Sequence, residues 1–123
     1  MSPARVLVVE DDPVILRLLE VNFELEGYDV LLAHDGAEGI DMARAQRPDL
    51  VISDIMMPNV SGIELVEALK GDEATAGIPI ILLSAKAQSA DVRAGMEAGA
   101  DDYITKPFEP LELVDRVQAL LAR

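Results

Sequence analysis

Apolar runs of strand length recur at Val6–Val9, Val30–Ala33, Leu50–Ile52, Ile80–Leu83 and, more weakly, Tyr103–Thr105. They are continuous rather than alternating, the pattern of strands covered on both faces in a parallel sheet. Segments of helical periodicity lie between them. Val14, Leu18, Val21 and Leu25 fall at i, i+4, i+7 and i+11, an apolar stripe of the kind that faces a core, and Leu113, Val117, Leu120 and Leu121 repeat it near the C-terminus. Asp12 before Pro13 reads as a helix cap and first helical residue, while Asp35 with Glu38 and Ser61 with Glu64 have capping-box spacing. Helices should therefore begin near residues 13, 36 and 62. The segment Ala90–Ala98 is a poorer helix and the expected loosest element, with Val92 and Met96 its only large apolar residues and Gly95 inside it at a cost of about 1 kcal/mol relative to Ala. Five β-α units follow, which predicts a doubly wound α/β sandwich.

The chain of 123 residues has room for one domain, spanning 1–123, and its 50% hydrophobic content is enough for a substantial core. With no cysteine it has neither disulfides nor thiolate metal ligands. A net charge of −13 repels phosphate backbones and anionic headgroups, which argues against direct nucleic-acid binding and against a membrane surface. Two Phe, two Tyr and no Trp leave little on which bases or a flavin ring could stack. The segment Met1–Arg5 lacks the features of a signal peptide, and acidic residues interrupt each apolar run before it reaches membrane-spanning length. A soluble, cytoplasmic protein is the expectation.

In an open parallel sheet, ligands bind beyond the carboxyl ends of the strands. Those ends carry Glu10, Asp11 and Asp12 after the first strand, Asp54 after the third, Ser84 after the fourth, and Thr105-Lys106-Pro107 after the fifth. Carboxylates crowded on one rim repel each other, and a hard divalent cation with oxygen ligands is a common remedy. Absence of Cys and of a His partner favours Mg²⁺, with Mn²⁺ an acceptable substitute. Mg²⁺ held by one or two carboxylates usually meets a phosphoryl oxygen, so an exposed Asp beside it suits attack on an activated phosphate. Asp12 is explained by capping alone, and His34, where a strand meets a turn, reads as a solvated residue.

Val8-Val9-Glu10-Asp11-Asp12, Ser53-Asp54-Ile55-Met56-Met57-Pro58, Gly62, Leu83-Ser84-Ala85 and Gly99–Phe108 occur in the order found in the two-component response-regulator receiver domain, which the whole chain resembles. The resemblance implies a flavodoxin-like (βα)5 sheet of strand order 2-1-3-4-5. It implies that Asp54 accepts a phosphoryl group from a sensor histidine kinase or histidine phosphotransfer protein. Asp11, Asp54 and the Met56 backbone carbonyl would ligate Mg²⁺, Glu10 would act on it through water, and Lys106 would pair with a phosphoryl oxygen. Ser84 would hydrogen-bond the phosphoryl group, and Tyr103, which as readily reads as a core aromatic, would change rotamer with the loop holding Ser84. The Lys106-Pro107 bond would be cis. The expected protein is thus a signalling domain rather than an enzyme, catalysing only its own phosphorylation and dephosphorylation.

Two rivals fit the residues less well. A Mg²⁺-dependent phosphohydrolase with an Asp nucleophile carries a second Asp two positions on, where this chain has Met56; a flavin binder would be repelled by Glu10-Asp11-Asp12. A pseudo-receiver acting by contacts alone is opposed by the intact set of Asp11, Asp54, Ser84 and Lys106. The stretch Gly99–Phe108, with Asp102 and Arg116, resembles receivers of winged-helix transcription factors, which implies a phosphorylation-dependent homodimer through the face of helix four, strand five and helix five. Val92 departs from that pattern, standing where a basic residue belongs. Met56 and Lys86, two places beyond Asp54 and Ser84, would flank the path of the hydrolytic water, with bulky Met56 slowing it.

Overall fold

The computed structural model describes residues 3–86 and 88–123. Five strands, β1 (Arg5–Val9), β2 (Asp29–Ala33), β3 (Leu50–Asp54), β4 (Ile80–Ser84) and β5 (Asp102–Thr105), alternate with five helices, α1 (Pro13–Leu25), α2 (Gly36–Gln46), α3 (Gly62–Lys70), α4 (Ser89–Ala98) and α5 (Pro110–Leu121). The strands are parallel and lie in the order β2-β1-β3-β4-β5. Both the doubly wound architecture and the expected strand order are present.

Two apolar layers explain why the strand sequences do not alternate. Leu7, Val9, Val51 and Leu82 point to one face and pack with Leu65, Val66 and Leu69 of α3. Val6, Val8, Ile52 and Ile81 point to the other and meet Leu19 and Phe23 of α1 with Leu113 and Val117 of α5. A strand with helices on both sides has no polar face to show, so its middle positions are apolar on both faces and its polar residues gather near its ends.

Helix starts fall where the caps place them. The Asp12 carboxylate accepts from the Val14 amide at 2.9 Å with Pro13 in the first helical position. Ser61 and Glu64 form a reciprocal capping box, each accepting the other's amide at 3.2 Å. At Asp35 only half of that box forms: its carboxylate accepts from Glu38 at 2.8 Å, while the Glu38 carboxylate lies 3.4 Å from His34. Strands β3 and β4 run further than their apolar runs, so that Asp54 pairs in register with Leu83 and Ser84 with Thr105. The polar residues of the rim are thereby fixed by the sheet itself.

The stripe expected to bury α1 faces outward. Val14 and Leu25 are 75% and 80% exposed, and Leu18 and Val21 are exposed as well, whereas Leu16, Leu19 and Phe23 are buried. Both rows have helical spacing, and the row carrying the larger ring goes inward, where it fills more volume against the sheet. At α5 the expected stripe holds, with Leu113 and Val117 buried and Leu120 and Leu121 packed against the same core. Leu19→Ala should lower the unfolding free energy by about 2–5 kcal/mol, while Leu25→Ala should change it by no more than about 0.5 kcal/mol. Urea denaturation of the two variants beside the parent distinguishes the buried from the exposed row.

Candidate functional site

Because all five strands run the same way, their carboxyl ends share one rim, and the order β2-β1-β3-β4-β5 makes the ends of β1 and β3 neighbours. The Glu10 amide still donates to the Ala33 carbonyl at 3.1 Å, so the chain leaving β1 stays tied to the sheet and the Glu10 side chain is buried at 1% exposure. Asp54 ends β3 and is 5% exposed, whereas Asp11 is open to solvent. Carboxylate oxygens of Glu10, Asp11 and Asp54 all lie within 4.8 Å of one another. Asp12, whose side chain turns away to cap α1, is not among them.

Lys106 enters from the end of β5, where its peptide bond to Pro107 is cis as expected. Its Nζ lies 3.2 Å from Asp54 Oδ1 and 3.4 Å from both Glu10 carboxylate oxygens. The Glu10–Lys106 pair was not foreseen: no local signal connects residues 96 positions apart. Where a phosphoryl oxygen is expected, the ammonium here meets the two buried carboxylates. The Lys106 amide also donates to the Ser84 carbonyl at 2.8 Å, so β4 and β5 deliver their residues as a unit.

Ser84 is fully buried, and its hydroxyl accepts from the Lys86 amide at 3.0 Å. The Tyr103 ring is 9% exposed and its hydroxyl donates to the Lys86 carbonyl at 2.7 Å. It is therefore packed in the core and tied to the loop after Ser84 at once, so the two readings of Tyr103 are not exclusive. On the β3–α3 loop, Met57 and Gly62 amides both donate to the Ile55 carbonyl, at 3.1 and 3.0 Å, and Val60 donates to Pro58 at 2.8 Å. Among the described residues no amide donates to the Met56 carbonyl, which leaves that oxygen available to a ligand. Gly62 closes this loop because a methyl there would sit 2.4 Å from the Asp54 carbonyl oxygen. The Met56 side chain is exposed, and His34 is not among the clustered residues.

Burial raises the Glu10 carboxyl to about 7, and the neighbouring Asp54 charge adds to that against the pull of Lys106. Asp54 is raised for the same first reason, with Lys106 opposing. Two carboxyls that resist ionisation beside an exposed third form a site that gains from an added cation. In metal-free protein, folded Glu10 keeps a proton between about pH 4.5 and 7 that the unfolded chain has lost. Its contribution to stability is full below pH 4.5 and is lost as pH rises through about 7, a loss of the order of 3 kcal/mol. Urea unfolding with chelator at pH 5 and pH 7.5 should show this decline, and Glu10→Gln should flatten it.

Comparison with known proteins bears on the fold and the family. Residues 6–118 match the response regulator receiver domain model. The chain is 45% identical over 119 residues to the DNA-binding dual master transcriptional regulator RpaA of Synechocystis sp., covering 97% of this chain and 49% of that protein. The chain thus spans about half the length of that relative. A putative response regulator from Chloroflexus aurantiacus superposes with a TM-score of 0.93 at 38% identity, covering 98% of this chain and 99% of that one. The receiver domain of sensor histidine kinase PA1611 from Pseudomonas aeruginosa, solved with magnesium coordinated in its active-site cleft, gives 0.91 at 31% identity, over 98% of this chain and 99% of that one. Among the described residues no helix is long and apolar enough to cross a membrane. The chain belongs to the response-regulator receiver family.

Proposed function

We propose that Asp54 is the phosphoacceptor of a Mg²⁺-dependent switch. The observation that carries this reading is the buried Asp54 carboxylate held 3.2 Å from Lys106 within a three-carboxylate cluster. An Asp54 oxygen attacks the phosphorus of a phosphohistidine, the N–P bond breaks with its electron pair returning to the imidazole, and an acyl phosphate remains on Asp54. Asp11, Asp54 and the Met56 carbonyl would hold Mg²⁺ directly and Glu10 through water; the cation neutralises charge on the transferring group. Lys106 exchanges its contact with Asp54 for a phosphoryl oxygen, and the Ser84 hydroxyl donates to another. Met56, exposed beside Asp54, shields the acyl phosphate from water.

The phosphodonor is a histidine kinase or phosphotransfer protein. Its docking surface is the hollow lined by Ile15, Leu18, Ala85, Pro107 and Phe108, because that apolar hollow reaches Lys106 and includes Leu18 of the outward row of α1. The output surface is the hollow between α4, β5 and α5, where Val92 and Tyr103 lie beside Arg116. Arg116 there bonds Asp102 at 2.7 Å within the chain and approaches Glu112 at 3.5 Å. A second copy docking on this face when Asp54 is phosphorylated would give the homodimer, with Val92 contributing apolar contact in place of an ion pair.

Incubation with acetyl phosphate and Mg²⁺ should add one phosphoryl group by intact mass, none in Asp54→Asn or with chelator. Lys106→Ala should slow the addition by about 100-fold or more. A parent that binds Mg²⁺ yet takes up neither phosphoryl group nor beryllofluoride would instead be a phosphorylation-independent interaction module. On size-exclusion chromatography with light scattering, beryllofluoride should shift the parent from monomer to dimer mass, and an unchanged mass would remove the homodimer.

A further inference from the structure

The buried residue of α4 is a glycine, Gly95. Positive φ angles among glycines occur at Gly27 and Gly99, so the backbone at Gly95 is one that any residue adopts. Helix propensity disfavours glycine in such a place. Space is what a side chain there would contest, since its neighbours would have to give way by a few tenths of an ångström. A methyl group at Gly95 would lie 3.0 Å from Tyr103 Cδ2, 3.2 Å from Tyr103 Cε2 and 3.1 Å from Leu82 Cδ1, all inside ordinary van der Waals separation.

The ring that fills this space is linked to the site by two hydrogen bonds through one residue. Tyr103 Oη donates to the Lys86 carbonyl at 2.7 Å, and the Lys86 amide donates to Ser84 Oγ at 3.0 Å. With a lone pair on Oγ engaged by that amide, the Ser84 hydroxyl keeps its own hydrogen to donate. An outward swing of the ring would release the Lys86 carbonyl and with it the constraint on the amide that holds Ser84.

We propose that Gly95 is a positioning residue for phosphoryl transfer: the space left by its absent side chain seats the Tyr103 ring inward, which holds the Lys86 peptide and so presents the Ser84 hydroxyl as a donor. This rests on the reading of Asp54 as phosphoacceptor. A glycine needed only for close packing of α4 on the sheet would act without the ring, and the two roles separate in experiment.

The full chain labelled with 3-fluorotyrosine carries two reporters, Tyr103 and Tyr28, the latter stacked edge-on against Phe23 in the opposite layer. Gly95→Ala should move the Tyr103 fluorine resonance toward that of free fluorotyrosine and leave Tyr28 in place. It should slow acetyl-phosphate uptake by about fivefold, the low end of what overpacking by one methyl gives. In a Tyr103→Leu background the same Gly95→Ala change should leave uptake within about 1.5-fold, since the residue it acts through is gone. An unmoved Tyr103 resonance, or an equal slowing with and without the ring, would overturn the proposal. A parent that takes up no phosphoryl group would overturn the Asp54 reading itself, and the proposal with it.

Discussion

Most of the structure at the rim depends on one ammonium set between two buried carboxylates. Lys106 lies 3.2 Å from Asp54 and 3.4 Å from Glu10, and neither acid has much access to water. Taking such charges out of water is costly unless each is paired, and one lysine cannot fully serve two acids. The arrangement is possible only because parallel strands end on the same side. β1 and β3 are neighbours and bring Glu10, Asp11 and Asp54 together, while β5, beyond β4, sends its lysine back across the rim. Gly62 lets the following helix begin directly against the Asp54 carbonyl.

That local shortage of positive charge is what makes the site responsive. Glu10 and Asp54 resist ionisation because burial is only partly compensated, so a cation lowers the free energy of the whole cluster. On the proposed reading, a phosphoryl group would reverse the balance by adding negative charge for Lys106 and Ser84 to meet. Ser84 is joined through Lys86 to Tyr103, a ring on the face of α4, β5 and α5. The Ser84 end of β4 is thereby joined to the face carrying Tyr103 by two hydrogen bonds through one residue.

The sequence made much of this legible, for identifiable reasons. Continuous apolar strands can only be covered on both sides, and Asp12-Pro13 and Ser61 with Glu64 fix helix starts by local chemistry that no tertiary contact overrides. Residues at strand ends were in place once the strands were. The inward face of α1 was not legible, because Val14, Leu18, Val21 and Leu25 satisfy helical spacing as well as Leu16, Leu19 and Phe23 do. Only the sheet decides between two apolar rows on one helix. The Glu10–Lys106 pair was hidden for a related reason, since it exists only after both ends of the chain reach the same rim.

The two places where local rules read poorly are where the fold meets other demands. An outward apolar row on α1 contributes little to the core, yet Leu18 belongs to the same hollow as Lys106 and Pro107. Gly95 weakens α4 by propensity, yet the space it leaves is occupied by the Tyr103 ring that reaches Lys86. A sequence selected for helix propensity and solubility alone would carry a polar row on α1 and an alanine in α4. Conflicts between local preference and global structure are expected to collect at functional surfaces. Here the outward row of α1 reaches the hollow that Lys106 lines, and Gly95 lies against the ring tied through Lys86 to Ser84.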